Sequence, residues 1–208
     1  MSEIESIMRR SPVIPVIVIN DPKDAVPLAK ALVAGGLSVL EVTLRTEHAL
    51  QAIADIKREV AGAVVGAGTV ISADDVARSI AAGAEFLVSP GSAPRMLDAA
   101  LQCSVPLLPG VSSASEVMAL MEKGLRYMKF FPAEQSGGAK YLAALNGPLA
   151  DVQFCPTGGI NPANANDYLL LPNVLCVGGS WMMDKAAIAN KDWQLIESLA
   201  REAANLSL

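Results

Sequence analysis

The chain has 208 residues, 52% of them apolar and 18% charged, with a net charge of −5. That length suits one large domain whose core needs no staples, and that balance excludes a disordered chain. No basic stripe runs through it, so nucleic acid is not an expected partner.

Residues 1–10 lack the apolar stretch of a signal peptide and are expected to form a short N-terminal helix. From there, short apolar runs alternate with longer alanine-rich segments. Residues 13–19 are the first run. Asp21 caps and Pro22 opens a helix through residues 25–33, which stops at Gly35-Gly36. Residues 39–44 follow, then a helix over 46–60 with Thr46 as its N-cap. Residues 63–67 lead to a helix over 72–82, capped by Ser72 and stopped by Gly83. After the runs 86–89 and 105–108 comes a helix over 113–122, with Ser113 and Glu116 at capping-box spacing and Gly124 as its stop. Residues 127–131, 152–155 and 174–177 complete the runs. Asn161-Pro162 opens a helix between the last two runs, and residues 192–205 form the final helix.

These runs are continuously apolar rather than alternating, as parallel strands covered on both faces are. Eight strand–helix units in 208 residues point to a (β/α)8 TIM barrel, a single domain over residues 1–208. The rival is a doubly wound open sheet. Cys103, Cys155 and Cys176 form no CxxC pair, which favours buried reduced thiols in a cytoplasmic protein over a disulfide framework or a zinc knuckle. The longest uncharged run, residues 168–183, is broken by Pro172, Gly178 and Gly179 and too short to span a bilayer, so no membrane partner is expected.

Barrel enzymes place their chemistry at the carboxyl ends of the strands. There the sharpest signal is Lys129, inside the run Tyr127-Met128-Lys129-Phe130-Phe131. A lysine so placed loses hydration, which disfavours its ammonium form, and a neutral amine can attack a carbonyl to form an imine. The plain alternative is a lysine that only pairs with a carboxylate. Glu41, within Val39-Leu40-Glu41-Val42, is costly without a partner or a function and could move protons for imine chemistry. Arg45 shares its side of the strand and offers a planar fork to a substrate carboxylate. The structural alternative is that Glu41 pairs only with Arg45 or Lys129. Gly66-Ala67-Gly68-Thr69 brings backbone N–H groups and a hydroxyl to the same rim, or is only a tight turn. Gly158-Gly159 before Asn161-Pro162, and Gly178-Gly179-Ser180 one strand later, occupy the loops that often hold phosphate in such barrels. They too can be read as mere βα turns. A metal site is not expected. His48 is the only histidine, and beside Glu41 and Glu134 no third acid stands at a strand end for magnesium.

Six segments together resemble one family, the bacterial 2-keto-3-deoxy-6-phosphogluconate aldolases that also act on 4-hydroxy-2-oxoglutarate. They are Val13-Ile14-Pro15-Val16, residues 40–46 (LEVTLRT), residues 65–70 (VGAGTV), residues 129–134 (KFFPAE), residues 155–160 (CPTGGI) and Gly178-Gly179-Ser180-Trp181. The resemblance implies Lys129 as Schiff-base lysine and Glu41 as general acid/base. It implies Arg45 and Thr69 on the pyruvate carboxylate, and Pro90 and Phe131 as pocket walls. Gly158, Gly159, Gly179 and Ser180 would hold the phosphate end, with Thr157 also substrate-binding. It further implies a homotrimer that needs no metal and no cofactor. The implied lyase reactions are the aldol cleavage of the Entner–Doudoroff pathway, to pyruvate and glyceraldehyde 3-phosphate, and cleavage of the hydroxyoxoglutarate to pyruvate and glyoxylate. Two other classes compete: a phosphate-binding barrel isomerase or synthase that forms no imine, and a catalytically silent binding protein.

Overall fold

A strand that is apolar on both faces must lie between two layers, and the computed structural model, which describes residues 2–206, arranges its strands that way. In chain order the elements are α1 (Glu3–Met8), β1 (Val13–Ile17), α2 (Ala25–Ala34), β2 (Val39–Thr43), α3 (Ala49–Glu59), β3 (Val64–Gly68) and α4 (Ala73–Ala81). Next come β4 (Leu87–Val88), α5 (Pro94–Leu101), β5 (Leu107–Leu108), β6 (Gly110–Val111), α6 (Ala114–Glu122) and β7 (Tyr127–Phe130). The last are α7 (Gly138–Asn146), β8 (Gln153–Pro156), α8 (Ala165–Leu169), β9 (Val177–Gly179), α9 (Lys185–Ala189) and α10 (Trp193–Ala204).

The fold is α/β with a curled parallel sheet. Six strands run in the order β5-β4-β3-β2-β1-β9, and β6-β7-β8 form a further parallel set. The first strand pairs with the last, Val13 opposite Val177. Pro109 separates β5 from β6, since it has no N–H to give a ladder. Its carbonyl still accepts from the Lys129 N–H at 2.9 Å. Single parallel bridges join Phe154 to Val174 and Thr157 to Gly178.

Alternation sorts the side chains. On β2, Leu40 and Val42 join the large core under the helices, whereas Val39 faces an inner cluster with Ile14, Phe86, Val88, Leu108, Cys155, Leu175 and Cys176. Ile4, Ile7 and Met8 of α1 enter that inner cluster and close it at the ends where β1 and β2 begin. Helix α1 is itself pinned by Glu5, which accepts from the Tyr127 hydroxyl at 2.6 Å.

Most local signals act as their chemistry dictates. Asp21 accepts from Lys23 N at 2.9 Å and opens a short 3-10 turn before α2, and Ser72 and Ser113 cap α4 and α6. Three expectations are corrected. Thr46 is not an N-cap, because its hydroxyl donates to the Ile19 carbonyl at 2.7 Å and so ties two loops together; α3 starts only at Ala49. Asn161 does not start a helix directly, since its side chain accepts from Ala163 N at 2.9 Å in a turn, and α8 begins at Ala165. The last strand lies later than residues 174–177, because its register is set by the pairing of residues 177–179 with β1.

Candidate active site

Lys129 sits on β7 and Glu41 on β2, with inward-facing side chains only 5% and 3% exposed. The Lys129 Nζ donates to Glu41 Oε1 at 3.1 Å and lies 5.3 Å from the centre of the Phe131 ring. Two opposite charges so deep are costly to desolvate and costlier to separate, so each holds the other in place. The pair is also placed sterically. A Cβ added to Gly68 would lie 2.6 Å from Glu41 Cγ, and one added to Gly66 would collide with the Phe86 ring. The two glycines of Gly66-Ala67-Gly68 are therefore strand residues that leave room for inward side chains, and they make no turn.

Beyond this pair opens a cavity of about 480 Å³ lined by Val16, Val18, Arg45, Phe131, Pro132, Gln135, Thr157, Gly158, Gly159, Ile160, Gly178, Gly179 and Ser180. Seven of the eleven residues singled out from sequence line it: Arg45, Phe131, Thr157, Gly158, Gly159, Gly179 and Ser180. Lys129 adjoins it through Phe131, and Glu41 through its bond with Lys129. Thr69 and Pro90 stand apart from it. Thr69 follows β3 with a φ of 60°, and Pro90 packs its backbone against Gly110, where a Cβ could not fit.

The cavity wall has one conspicuous polar vacancy. Thr157 Oγ1 is buried and has no hydrogen-bond partner among the described residues, a cost of roughly 1–3 kcal/mol unless a ligand supplies one. At the far rim, Gly158 and Gly159 have φ of 104° and 76°. Those conformations suit glycine and turn the backbone between β8 and α8. Guanidinium, hydroxyls and glycine backbone thus surround a space whose Phe131 wall adjoins the buried amine and, through it, the carboxylate. That combination can hold an anionic carbonyl compound while the amine attacks it.

Other reactive groups do not compete. The Cys176 thiol is pushed well above the usual thiol range by its hydrogen bond with Cys155 and by burial, so it stays protonated and a poor nucleophile. Among the described residues no group of three or more His, Cys, Asp or Glu gathers as a metal would require. Sequence reasoning assigned no role to Val16, Val18, Pro132, Gln135 or Ile160. Val16 and Val18 follow from the period of β1, two residues apart on one side, whereas Gln135 has no sequence signal beyond its place after Lys129-Phe130-Phe131-Pro132.

The family model of KDPG and KHG aldolase matches residues 4–199. A KHG/KDPG aldolase of Escherichia coli is 54% identical over 199 residues, which is 96% of this chain and 93% of that protein. Among solved structures, a KDPG aldolase of Legionella pneumophila, with pyruvate captured as a covalent carbinolamine, superposes with a TM-score of 0.95 at 46% identity. The match covers 98% of this chain and 99% of that one. The aldolase of Zymomonas mobilis with 3-phosphoglycerate gives 0.92 at 49% identity, over 99% of this chain and 96% of that one.

Proposed function

The chain belongs to the KDPG and KHG aldolase family, and we propose that its buried Lys129–Glu41 pair carries the family's chemistry. The enzyme is a Schiff-base lyase that cleaves 2-keto-3-deoxy-6-phosphogluconate to pyruvate and glyceraldehyde 3-phosphate, and 4-hydroxy-2-oxoglutarate to pyruvate and glyoxylate. The observation that carries the residue assignment is the buried 3.1 Å contact between Lys129 Nζ and Glu41 Oε1, beside the Phe131 wall of the cavity.

Glu41 takes a proton from Nζ, and the free amine adds to the C2 carbonyl to give a carbinolamine. Glu41 returns that proton to the departing hydroxyl, and loss of water leaves an iminium. Glu41 then removes the C4 hydroxyl proton, the C3–C4 bond breaks, and its electrons flow into the iminium to form an enamine while the aldehyde departs. Protonation at C3 and addition of water release pyruvate and restore Lys129. Arg45 fits the substrate carboxylate as a two-pronged donor, and the unpartnered Thr157 hydroxyl offers a further hydrogen bond at the cavity wall. Gly158, Gly159, Gly179 and Ser180 suit the phosphate end, where backbone N–H groups can approach an anion closely. Thr69 and Pro90 belong to the carboxylate end by family resemblance.

The same reading takes residues 1–208 as one closed eight-stranded barrel in the cytoplasm, assembled as a trimer. Closure is supported by the chain running through Pro109 from one strand set to the other, and by the Thr157–Gly178 bridge. The free thiols agree with a reducing compartment, and no described helix is long and apolar enough to cross a membrane. Exposed Ile71, Met118 and Leu170 are side chains that an interface would cover. Light scattering should then give three times the chain mass of 21.6 kDa.

The iminium route needs no metal. Pyruvate release from the phosphorylated sugar acid should be unchanged by EDTA. A loss restored by a divalent ion would overturn the iminium as the main route.

A further inference from the structure

Asn161 and Asn164 Nδ2 donate to the Gly159 carbonyl at 3.4 and 3.1 Å, and a buried polar contact backs the same phosphate-end loop through Glu134. Tyr168 lies on α8, 1% exposed, and its hydroxyl donates to the Glu134 carboxylate. Burial first, then that carboxylate, hold the phenol above its usual range, so it remains a donor at every working pH. Glu134 stands in the loop after β7, three residues past Phe131 in chain, and presses on Gly159. A Cβ at Gly159 would lie 2.6 Å from Glu134 Cγ. The backbone makes the same link, with Glu134 N donating to Gly158 O at 3.1 Å and Ala133 N to Thr157 O at 2.8 Å. On the cavity side of this loop, Gln135 lines the wall.

We propose that Tyr168 and Glu134 are positioning residues that hold Gly158-Gly159 in the conformation the substrate's phosphate end requires. The inference rests on the phosphate-end reading above. Neither residue touches the reacting atoms. Tyr168 fixes Glu134, Glu134 backs Gly159, and two backbone hydrogen bonds carry the loop after β7 along with the loop after β8. Without the clamp, the two asparagine bonds and the backbone bonds remain, but the glycines regain part of the freedom that their missing side chains permit, and binding must order them first.

Tyr168→Phe removes the hydroxyl and nothing else. KM for the phosphorylated sugar acid should rise about tenfold, as for one lost hydrogen bond to a charged group. Its kcat, and both constants for the unphosphorylated hydroxyoxoglutarate, should change less than about twofold, within the effect of a neutral surface change. Glu134→Gln keeps an acceptor for Tyr168 and should retain most of the affinity; Glu134→Ala should match Tyr168→Phe. The double variant Tyr168→Phe/Glu134→Ala should cost no more than either single change. Ser180→Ala serves as the parallel probe of the phosphate end itself. A phosphate-selective loss in Ser180→Ala, with equal losses on both substrates or none in Tyr168→Phe and Glu134→Ala, would overturn the positioning role alone. Absence of phosphate selectivity in all three variants would overturn it together with the phosphate-end reading.

Discussion

The two ends of the strands use the same alternation for opposite purposes. Toward their amino ends the inward positions are Ile14, Val39, Leu175 and Cys176, and α1 seals them with Ile4, Ile7 and Met8. Toward their carboxyl ends the inward positions are Glu41, Lys129 and Thr157, with Gly68 and Gly178 leaving room beside them. One end is filled with apolar volume. The other buries an ion pair and an unpartnered hydroxyl, which cost stability without a ligand. Stability and function are thus drawn from opposite ends of one set of strands, and a change at either end should affect one and spare the other.

Four substitutions break or sharpen that contrast. The largest effect belongs to Glu41→Gln, an amide that cannot serve as base. Turnover should fall by about 10²–10⁴, while the iminium with pyruvate still forms slowly enough to trap. Normal turnover would leave Glu41 an ion-pair partner only. Ser180→Ala comes next, with kcat/KM on the phosphorylated sugar acid lowered by roughly ten- to a hundredfold and hydroxyoxoglutarate much less affected. Equal losses would assign Ser180 to the rim or to the chemistry. At the other end, Met8→Ala empties volume in a fully buried site. Denaturant unfolding should show a loss of about 2–5 kcal/mol with kcat/KM unchanged at 25 °C, and an active-site defect here would mean that the two ends are coupled. The smallest effect is that of Tyr127→Phe. The hydrogen bond from the Tyr127 hydroxyl, and then that from Arg9, holds the Glu5 carboxyl below its ordinary range. A depressed carboxyl contributes stability above its unfolded pKa and loses it as pH falls through the folded one. The stability gap between Tyr127→Phe and the parent should therefore be present at neutral pH and close in acid. A gap that persists there would mean that the contact matters only as packing.

Much of this contrast is legible in the sequence, because strands and helix stops depend on near neighbours. Ser72 and Ser113 cap the helices they precede, and Lys129 is conspicuous because it lies in a strand-like aromatic run, whereas Lys30, also flanked by apolar residues, sits in an alanine-rich helical segment. What depends on distant partners is not legible. Thr46 looks like a cap until Ile19 claims its hydroxyl. Helix α7 carries no strong start signal: it opens on Gly137-Gly138 and is held by buried Leu142 and Leu145. At the site, Glu41 and Lys129 could be singled out, but whether Glu41 would meet Arg45 or Lys129 stayed open, because the meeting joins residues 88 apart. Tyr168, 34 residues from Glu134, reads in sequence as one more core aromatic.

The most direct test of the central assignment is covalent. Incubating the protein with pyruvate and borohydride reduces any iminium to a stable secondary amine, which peptide mass mapping can place. The account requires a single modified lysine, at position 129, and none in Lys129→Ala, which should stay folded. Modification at another lysine, or none in the parent protein, would contradict it.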